Sequence, residues 1–443
     1  MISGAAVAES EDPTGGRSIR FGWWLAGIAL AGLALRVGYV YVVAPHAPQG
    51  LDAIWYHLQA GSIADGTGYV DPRTLFTEGR GVATANFPPL WPALLALPVK
   101  AGVTSVRTLQ LTGAVVGTGT VVLTGLIGRR LLTPRVGLVA AAIAAGLPAL
   151  LAADGSLMAD SLYVVLVLAG VLAGRRGASD SASLSWWALS GVLLGLAALA
   201  RSDALLLIPF VLGAFIIRGE REAVKRRLRG LATAAACVVL SLVPWVVRNH
   251  AEMGTWNPLS SNSGSLLEGA NCASTYGRVH LGAWDAACLI ESDQVDRPEL
   301  ERADRARRAG IDYATSHLAR TPVVAAARVL RAWGLYDPID QAREFEAVES
   351  RTPDWQVLAW ATSLALLGSG VVGFVLTRRR GLRTQVLTNL VIGATFVALV
   401  SWGNSRFVLV ALPALAIYAA AALDELWSRR RSRRAGPAEA SAG

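Results

Sequence analysis

Long apolar blocks recur along the whole chain and alternate with short polar connections and two long polar stretches. The blocks are about 17 to 23 residues long, which is the length at which a helix crosses a hydrocarbon core of about 30 Å. The pattern therefore predicts an all-α polytopic membrane protein with about ten transmembrane helices. The predicted spans are residues 22–44, 108–129, 136–153, 157–174, 186–200, 203–218, 230–248, 356–376, 384–402 and 406–427.

The two long polar stretches, residues 45–107 and 249–355, follow the first and seventh spans and so emerge on the same side of the membrane. Each contains segments that are too short or too charged to cross it. We expect a short apolar segment over residues 90–99 that lies at the interface or re-enters the membrane. Residues 298–320 are expected to form a charged, solvated helix, and residues 322–336 an amphipathic interfacial helix. Nearly all of the loop mass, and with it any chemistry, is predicted on this one side.

Composition and charge support this topology. Of the 443 residues, 53% are hydrophobic and only 16% are charged, against about 25% charged in soluble domains. Twenty-two basic residues cluster in the short connections and tails on the side opposite the long loops. The positive-inside rule then makes the tails, residues 1–21 and 428–443, cytoplasmic and both long loops extracytoplasmic. The region between the tails, residues 22–427, is a single membrane domain. Because its basic residues orient spans, the net charge of +9 does not indicate a nucleic-acid partner.

The first long loop places Asp52, Tyr56 and His57 shortly after the first span. An aspartate at the start of a helix is either an N-cap or a functional carboxylate, and the local pattern leaves both open. A Pro-Pro segment, residues 86–92, follows in the same loop and leads into a short apolar run.

Several charged residues fall at or inside predicted spans, where charge is costly and is usually paired or functional. Asp160 falls in the first turns of span four, and Arg201 with Asp203 occupies the next outer turn, where a structural salt bridge is the simpler interpretation. Arg36 in span one either snorkels to the surface or pairs within the bundle. Arg406, at the outer start of span ten, either holds an anionic headgroup or anchors the helix.

Two of the three cysteines, Cys272 and Cys288, lie in the second long loop, and Cys237 lies in span seven. In an oxidising compartment such a loop pair favours a disulfide. A zinc site is less expected, because His280 is the only histidine between the pair and no CxxC spacing occurs.

Taken in order, these segments resemble the GT-C superfamily of lipid-phosphosugar glycosyltransferases, in particular the bacterial branch related to protein O-mannosyltransferases and lipid A aminoarabinose transferase. Together the matching elements cover most of residues 20–425. They are Asp52 to Tyr56, Asn86 to Pro92, Met158 to Leu162, Gly195 to Asp203, Pro244 to Asn249, Ser261 to Gly264, and Arg406-Phe407 before Pro413.

The resemblance implies an inverting glycosyltransferase of the bacterial plasma membrane, acting on the extracytoplasmic face. It would move a sugar from a polyprenyl-phosphate donor to an extracytoplasmic acceptor such as an envelope glycan, lipid or protein. Asp52 would be the general base. Arg406, Arg201 and Arg248 would bind the phosphate. The acceptor or a cation would lie near Asp160, Tyr56 and His57. No cofactor is certain, and a divalent cation is an option.

Two alternatives stay open from the sequence. A transporter or lipid flippase would also be polytopic, although the chain shows no clear repeat between its halves. A non-catalytic envelope-assembly scaffold is the second alternative. Its best support is Ala53, which stands where many members of the superfamily carry a second acidic residue.

Overall fold

The computed structural model describes residues 13–45, 50–179, 183–216, 221–257, 259–289, 297–349 and 351–434. Within these ranges the regular structure is helical, with one isolated β-bridge between Val70 and Ala83. Two 3₁₀ helices are formed by Ala286–Leu289 and Ser405–Ala411. The α-helices are α1 Pro13–Val42, α2 Leu51–Ala64, α3 Pro72–Glu78, α4 Leu90–Lys100, α5 Val106–Leu131, α6 Pro134–Gly146, α7 Pro148–Asp154, α8 Asp160–Gly177, α9 Leu184–Ala200, α10 Ala204–Gly213, α11 Arg221–Met253, α12 Ser263–Ala270, α13 Ala273–Tyr276, α14 Glu299–Ser316, α15 Thr321–Ala332, α16 Pro338–Glu349, α17 Pro353–Arg379, α18 Gln385–Val400 and α19 Leu412–Arg434.

The all-α polytopic fold is confirmed, and each predicted span coincides with a helix or a pair of helices. Within the described ranges, five helical segments are long and apolar enough to cross a membrane, and they lie in α1, α5, α11, α17 and the run from Ser405 into α19. The pair α6 and α7 makes a sixth span if it is counted as one broken helix. The helices α8, α9, α10 and α18 are shorter or more charged, so the total of ten spans stays a prediction.

The last span lies at the centre of the bundle. Its residues from Phe407 to Ala420 are almost entirely buried, mostly as alanine, leucine, isoleucine and valine. A helix that is apolar on all faces is typical of the interior of a bundle. Close packing around it depends on small residues: a Cβ at Gly373 of α17 would lie only 1.8 Å from the Tyr418 carbonyl oxygen of α19.

The third span is broken at Pro148, and the break places a carboxylate inside the bundle. Leu147, just before the proline, is extended, and α6 and α7 meet at 61°; proline disfavours helical backbone in the residue before it. The bend brings Asp154, at the end of α7, to Arg36 of α1, with Nε to Oδ2 at 2.7 Å and both side chains buried. The snorkelling interpretation of Arg36 is therefore wrong, and the pairing interpretation is correct.

The two long loops fold over one end of the bundle. Helix α2 packs on α4 through an apolar cluster that includes Ala53, Tyr56 and Trp91. The helix α16, at the end of the second loop, also contacts α2. The expected segments at 90–99, 298–320 and 322–336 correspond to α4, α14 and α15. The loops thus bring residues from distant parts of the chain against the starts of α8 and the last span.

A disulfide joins Cys272 and Cys288, which confirms the predicted pairing. Asn271 lies just before the segment that the disulfide closes, and its side chain accepts hydrogen bonds from the Tyr276 hydroxyl and the Arg328 guanidinium. Arg328 is itself buried, as is Arg331 on the same helix. The polar face of α15 therefore packs into the loop assembly.

Candidate active site

Asp160 is the centre of a buried charge cluster on the loop-covered end of the bundle. It is the first residue of α8, and its side chain is only 1% exposed. Its Oδ1 accepts from Arg201 at 2.5 Å, and its Oδ2 accepts from Arg351 and Arg406 at 3.1 Å each. Three guanidinium groups on one carboxylate hold that carboxylate ionised and fix its orientation. The charge that the sequence places in the first turns of span four is therefore paired.

Arg406 joins Asp160 to two further carboxylates. Asn404 precedes it as the N-cap of the 3₁₀ helix, its side-chain oxygen accepting from the Arg406 backbone N–H at 2.8 Å. The guanidinium Nη1 then lies 3.4 Å from Oε1 of Glu349 and 3.7 Å from Oδ2 of Asp52. Arg406 is therefore an interior cation with anionic partners on several sides, rather than only an interfacial anchor.

Asp52 lies at the open edge of this cluster. It is the second residue of α2, whose N-cap is Gly50, and no side-chain cap hydrogen bond is formed there. The N-cap interpretation is therefore wrong, although the carboxylate still lies in the first turn. About a quarter of the side chain, 26%, is exposed. Burial raises the pKa of Asp52 from 3.8 to about 6; Arg406 opposes this shift and Glu349 adds to it.

Two members of the cluster, Glu349 and Arg351, were missed by sequence reasoning. They flank the end of α16, both are almost fully buried, and Arg351 Nη1 lies 3.3 Å from Glu349 Oε2. Glu349 also accepts from the Asn404 side chain at 3.2 Å. In sequence they stand in a charged stretch, Arg343 to Arg351, typical of a solvated loop. Their only local signal is a group of acidic residues between two arginines, just before an apolar span.

The predicted acceptor residues occupy different faces of α2. Tyr56 is one turn after Asp52, is buried, and packs against Phe87 with ring centroids 5.2 Å apart. Burial raises the pKa of its hydroxyl. His57 is half-buried and is five positions from Asp52, which turns it away from the Asp52 face of the helix. Burial lowers the pKa of His57. Around the axis of α2, Tyr56 therefore lies nearer than His57 to the face that carries Asp52.

The three predicted phosphate-binding arginines are in different situations. Arg406 and Arg201 both bind Asp160, and Arg201 also grips Asp203 with two bonds of 3.0 Å. The proposed salt bridge between Arg201 and Asp203 is present. Arg248 instead donates to the carbonyl oxygens of Tyr69 and Thr84, at 2.5 and 2.6 Å. Arg248 therefore holds the first long loop in place and is not a member of the charge cluster.

The residues present do not fit a divalent cation at this position. Among the described residues no group of three or more histidine, cysteine or acidic side chains is arranged to hold a metal ion. The carboxylate oxygens of Asp160 already accept from arginines, and Glu349 lies between Arg351 and Arg406. A cation would have to displace guanidinium groups that carry the same sign of charge.

The comparisons with known proteins agree with this architecture. Residues 86–247 match the family model described as dolichyl-phosphate-mannose-protein mannosyltransferase. The oligosaccharyltransferase AglB from Archaeoglobus fulgidus, in complex with an inhibitory peptide and a dolichol-phosphate, aligns with a TM-score of 0.59 and 17% identity over 96% of this chain. The apo form of the Archaeoglobus fulgidus enzyme aligns with a TM-score of 0.55 and 18% identity over 94% of this chain.

The chain has the GT-C fold. It spans about half the length of the archaeal enzyme, 52% in the complex and 51% in the apo form. ArnT from Cupriavidus metallidurans, bound to undecaprenyl phosphate, aligns less well, with a TM-score of 0.44 and 14% identity over 91% of this chain and 78% of that one. No curated protein sequence is significantly similar to the chain.

The family model matches only part of the residues that form the charge cluster. Asp160 and Arg201 lie inside residues 86–247, whereas Asp52, Glu349 and Arg406 lie outside them. The fold places the residues outside the match beside the matched ones, so that one site is formed from five separate parts of the chain.

Proposed function

We propose that the protein is an inverting glycosyltransferase that moves a sugar from a polyprenyl-phosphate donor to an extracytoplasmic acceptor. The GT-C fold supports the reaction class. The family described by a dolichyl-phosphate-mannose donor, and the archaeal structure with bound dolichol-phosphate, support a lipid-phosphate donor. A donor anchored in the bilayer explains why the charge cluster lies at the ends of membrane helices.

The observation that carries the proposal is the contrast among the carboxylates of the cluster. Asp160 and Glu349 are each 1% exposed and are held by arginines. Asp52 is 26% exposed, and among the described residues its ion pair is with Arg406 at 3.7 Å. Its pKa of about 6 suits a base that must accept a proton near neutral pH. Asp52 is the carboxylate of this set that an acceptor can reach.

In the proposed step, the acceptor hydroxyl oxygen attacks the anomeric carbon and its proton passes to Asp52. The bond from the anomeric carbon to the phosphate oxygen breaks, and the electron pair leaves with the polyprenyl phosphate. Arg406, fixed by Asp160, Glu349 and Asn404, stabilises the departing phosphate. Arg351 is a second candidate for this role, because it lies in the same cluster and also lines a cavity of about 60 Å³ beside Gln356 and Trp360.

The proposal is tested by replacing Asp52 with asparagine. The full-length protein is reconstituted with labelled polyprenyl-phosphate sugars and envelope extracts, and covalent transfer of label is measured. Asp52→Asn keeps the shape but cannot accept the proton, so we expect transfer to fall by about 10²–10⁴-fold. The matched control is Asp71→Asn in the same loop. Asp71 caps α3 by accepting from the Arg73 N–H at 2.8 Å, and asparagine caps as well as aspartate.

Two results would contradict the proposal. Near-normal transfer by a well-folded Asp52→Asn protein would remove Asp52 as the base. If the wild-type protein moves label across the bilayer without forming a new covalent product, the protein is a lipid flippase rather than a transferase.

A further inference from the structure

A large basic cavity lies at the end of the bundle remote from Asp52. Its volume is about 440 Å³. Four arginines line it, namely Arg175, Arg227, Arg378 and Arg383, together with apolar side chains that include Phe215. Among the described residues that line it there is no aspartate or glutamate. We call this space the basic cavity.

The basic cavity is on the other side of the membrane from the candidate active site. Asp160 begins α8 and Arg175 lies in its last turn, fifteen residues further on. At 1.5 Å per residue this separates them by about 22 Å, most of a hydrocarbon core of about 30 Å. The two sites therefore face opposite leaflets, and a ligand of one cannot touch the other.

Three of the four arginines of the basic cavity are not neutralised by the described part of the chain. Asp424 and Glu425, at the same end of the bundle, are paired with Arg135, Arg380 and Arg429. In contrast, Arg175, Arg378 and Arg383 form no ion pair with any residue that the structure describes. Three like charges around one cavity repel each other and favour an anion between them.

The backbone around the basic cavity also favours an anion. Arg227 donates to the carbonyl oxygens of Phe215 and Ala178, at 3.2 and 3.0 Å. Two backbone acceptors beside the cavity are therefore already hydrogen-bonded. Thr384 and Gln385, at the start of α18, line the cavity. The first N–H groups of a helix have no partners within it and attract phosphate.

We propose that the basic cavity binds the phosphate headgroup of an anionic phospholipid from the leaflet opposite Asp52. The arginines and the start of α18 bind the phosphate, since guanidinium groups donate paired bonds to it. The apolar side chains, among them Leu131, Phe215 and Val386, accommodate the beginning of the acyl chains. Basic pockets between membrane helices recognise anionic lipid headgroups in this way. The inference does not rest on the proposed glycosyl transfer.

The test is native mass spectrometry of the full-length protein with phosphatidylglycerol or phosphatidylcholine. We expect the wild-type protein to retain phosphatidylglycerol preferentially. The double variant Arg175→Gln, Arg383→Gln should bind it about 30-fold more weakly, because each arginine beside an anionic headgroup contributes a factor of about five. The matched control is Arg229→Gln, Arg379→Gln, which removes the same charge from exposed arginines that do not line the cavity. Because Arg383 is exposed, Arg383→Gln alone provides a variant that keeps the packing intact.

Three outcomes overturn the proposal. The wild-type protein shows no preference for phosphatidylglycerol, or the control variant loses as much binding as the cavity variant. In the third, inorganic phosphate at millimolar concentration raises the Tm of the wild-type protein in phosphatidylcholine and displaces the lipid, which would make the ligand a soluble phosphate.

Discussion

At the scale of single residues, environment separates side chains of the same type. Asp52 and Asp160 are both aspartates near Arg406, yet Asp160 is enclosed by three guanidinium groups and Asp52 meets one at 3.7 Å. The three guanidinium groups stabilise the negative charge of Asp160. Burial without a close cation raises the pKa of Asp52. This difference leads us to assign proton transfer to Asp52 and electrostatic organisation to Asp160.

The pH dependence of transfer follows from this assignment. A base acts in its deprotonated form, so the transfer rate should rise with pH and level off above about pH 6. The folded-state pKa of Asp52 lies above its ordinary value of 3.8, so the stability that it contributes is present below about pH 4 and lost as pH rises through about 6. Asp52→Asn should therefore unfold no earlier than wild type at neutral pH. A rate that is flat across pH 6, or a lower Tm for the variant, would contradict the assignment.

At the scale of elements, a proline break and a buried ion pair act together. Pro148 divides the third span, and the bend brings Asp154 against Arg36 of α1. Arg36 also donates to the Gly32 and Ala145 carbonyl oxygens, so α1, α6 and α7 are joined at one point. The space is tight, because a Cβ at Gly117 of α5 would lie 2.0 Å from the Asp154 carboxyl carbon.

Breaking one side of this pair should be costly. Asp154→Leu leaves the buried Arg36 charge without a counter-ion, and we expect the free energy of unfolding to fall by about 3–5 kcal/mol. The double variant Arg36→Met, Asp154→Leu should recover most of that loss, because an apolar pair carries no desolvated charge. Unfolding of the three proteins in the same detergent measures the coupling. Equal losses in the single and double variants would show that the pair is not coupled.

At the scale of the whole molecule, charge is divided between the two ends of the bundle. One end of the bundle carries arginines in the last turns of α5, α8 and α17 and in the last part of α19. This end lies opposite the loop-covered site. The positive-inside rule predicts that this basic end is cytoplasmic. The boundaries of the tails and of the membrane domain stay predictions, and residues 1–12 and 435–443 lie outside the described part of the chain.

Orientation can be measured with single cysteines. In a protein with Cys237 replaced by alanine, Arg229→Cys should not react with an impermeant maleimide added to intact cells. Arg308→Cys, on the exposed face of α14, should react, because the second long loop is predicted outside. Both sites should react after the membrane is permeabilised. The reverse labelling pattern would place the candidate active site in the cytoplasm.

The sequence by itself determined the features that depend on neighbours along the chain. The length of an apolar block sets whether a helix can cross a membrane, so each predicted span coincides with a helix or helix pair. The Cys272–Cys288 disulfide was predicted because both cysteines lie in one loop on the predicted extracytoplasmic side. The resemblance, through Asp52 and Arg406, located part of the cluster before any geometry was known.

Only the tertiary structure decided which charges meet. Arg351 and Arg406 are 191 and 246 residues from Asp160 in sequence, and Arg36 is 118 residues from Asp154. No periodicity or spacing carries information over such distances, because these contacts depend on how the helices pack and where a proline bends one of them. Glu349 therefore looked like a solvated loop residue, and Arg248 looked equivalent to Arg406. In the folded protein Glu349 is buried in the charge cluster, and Arg248 holds the first long loop in place. Both outcomes arise because a buried charge requires a partner in low-dielectric surroundings.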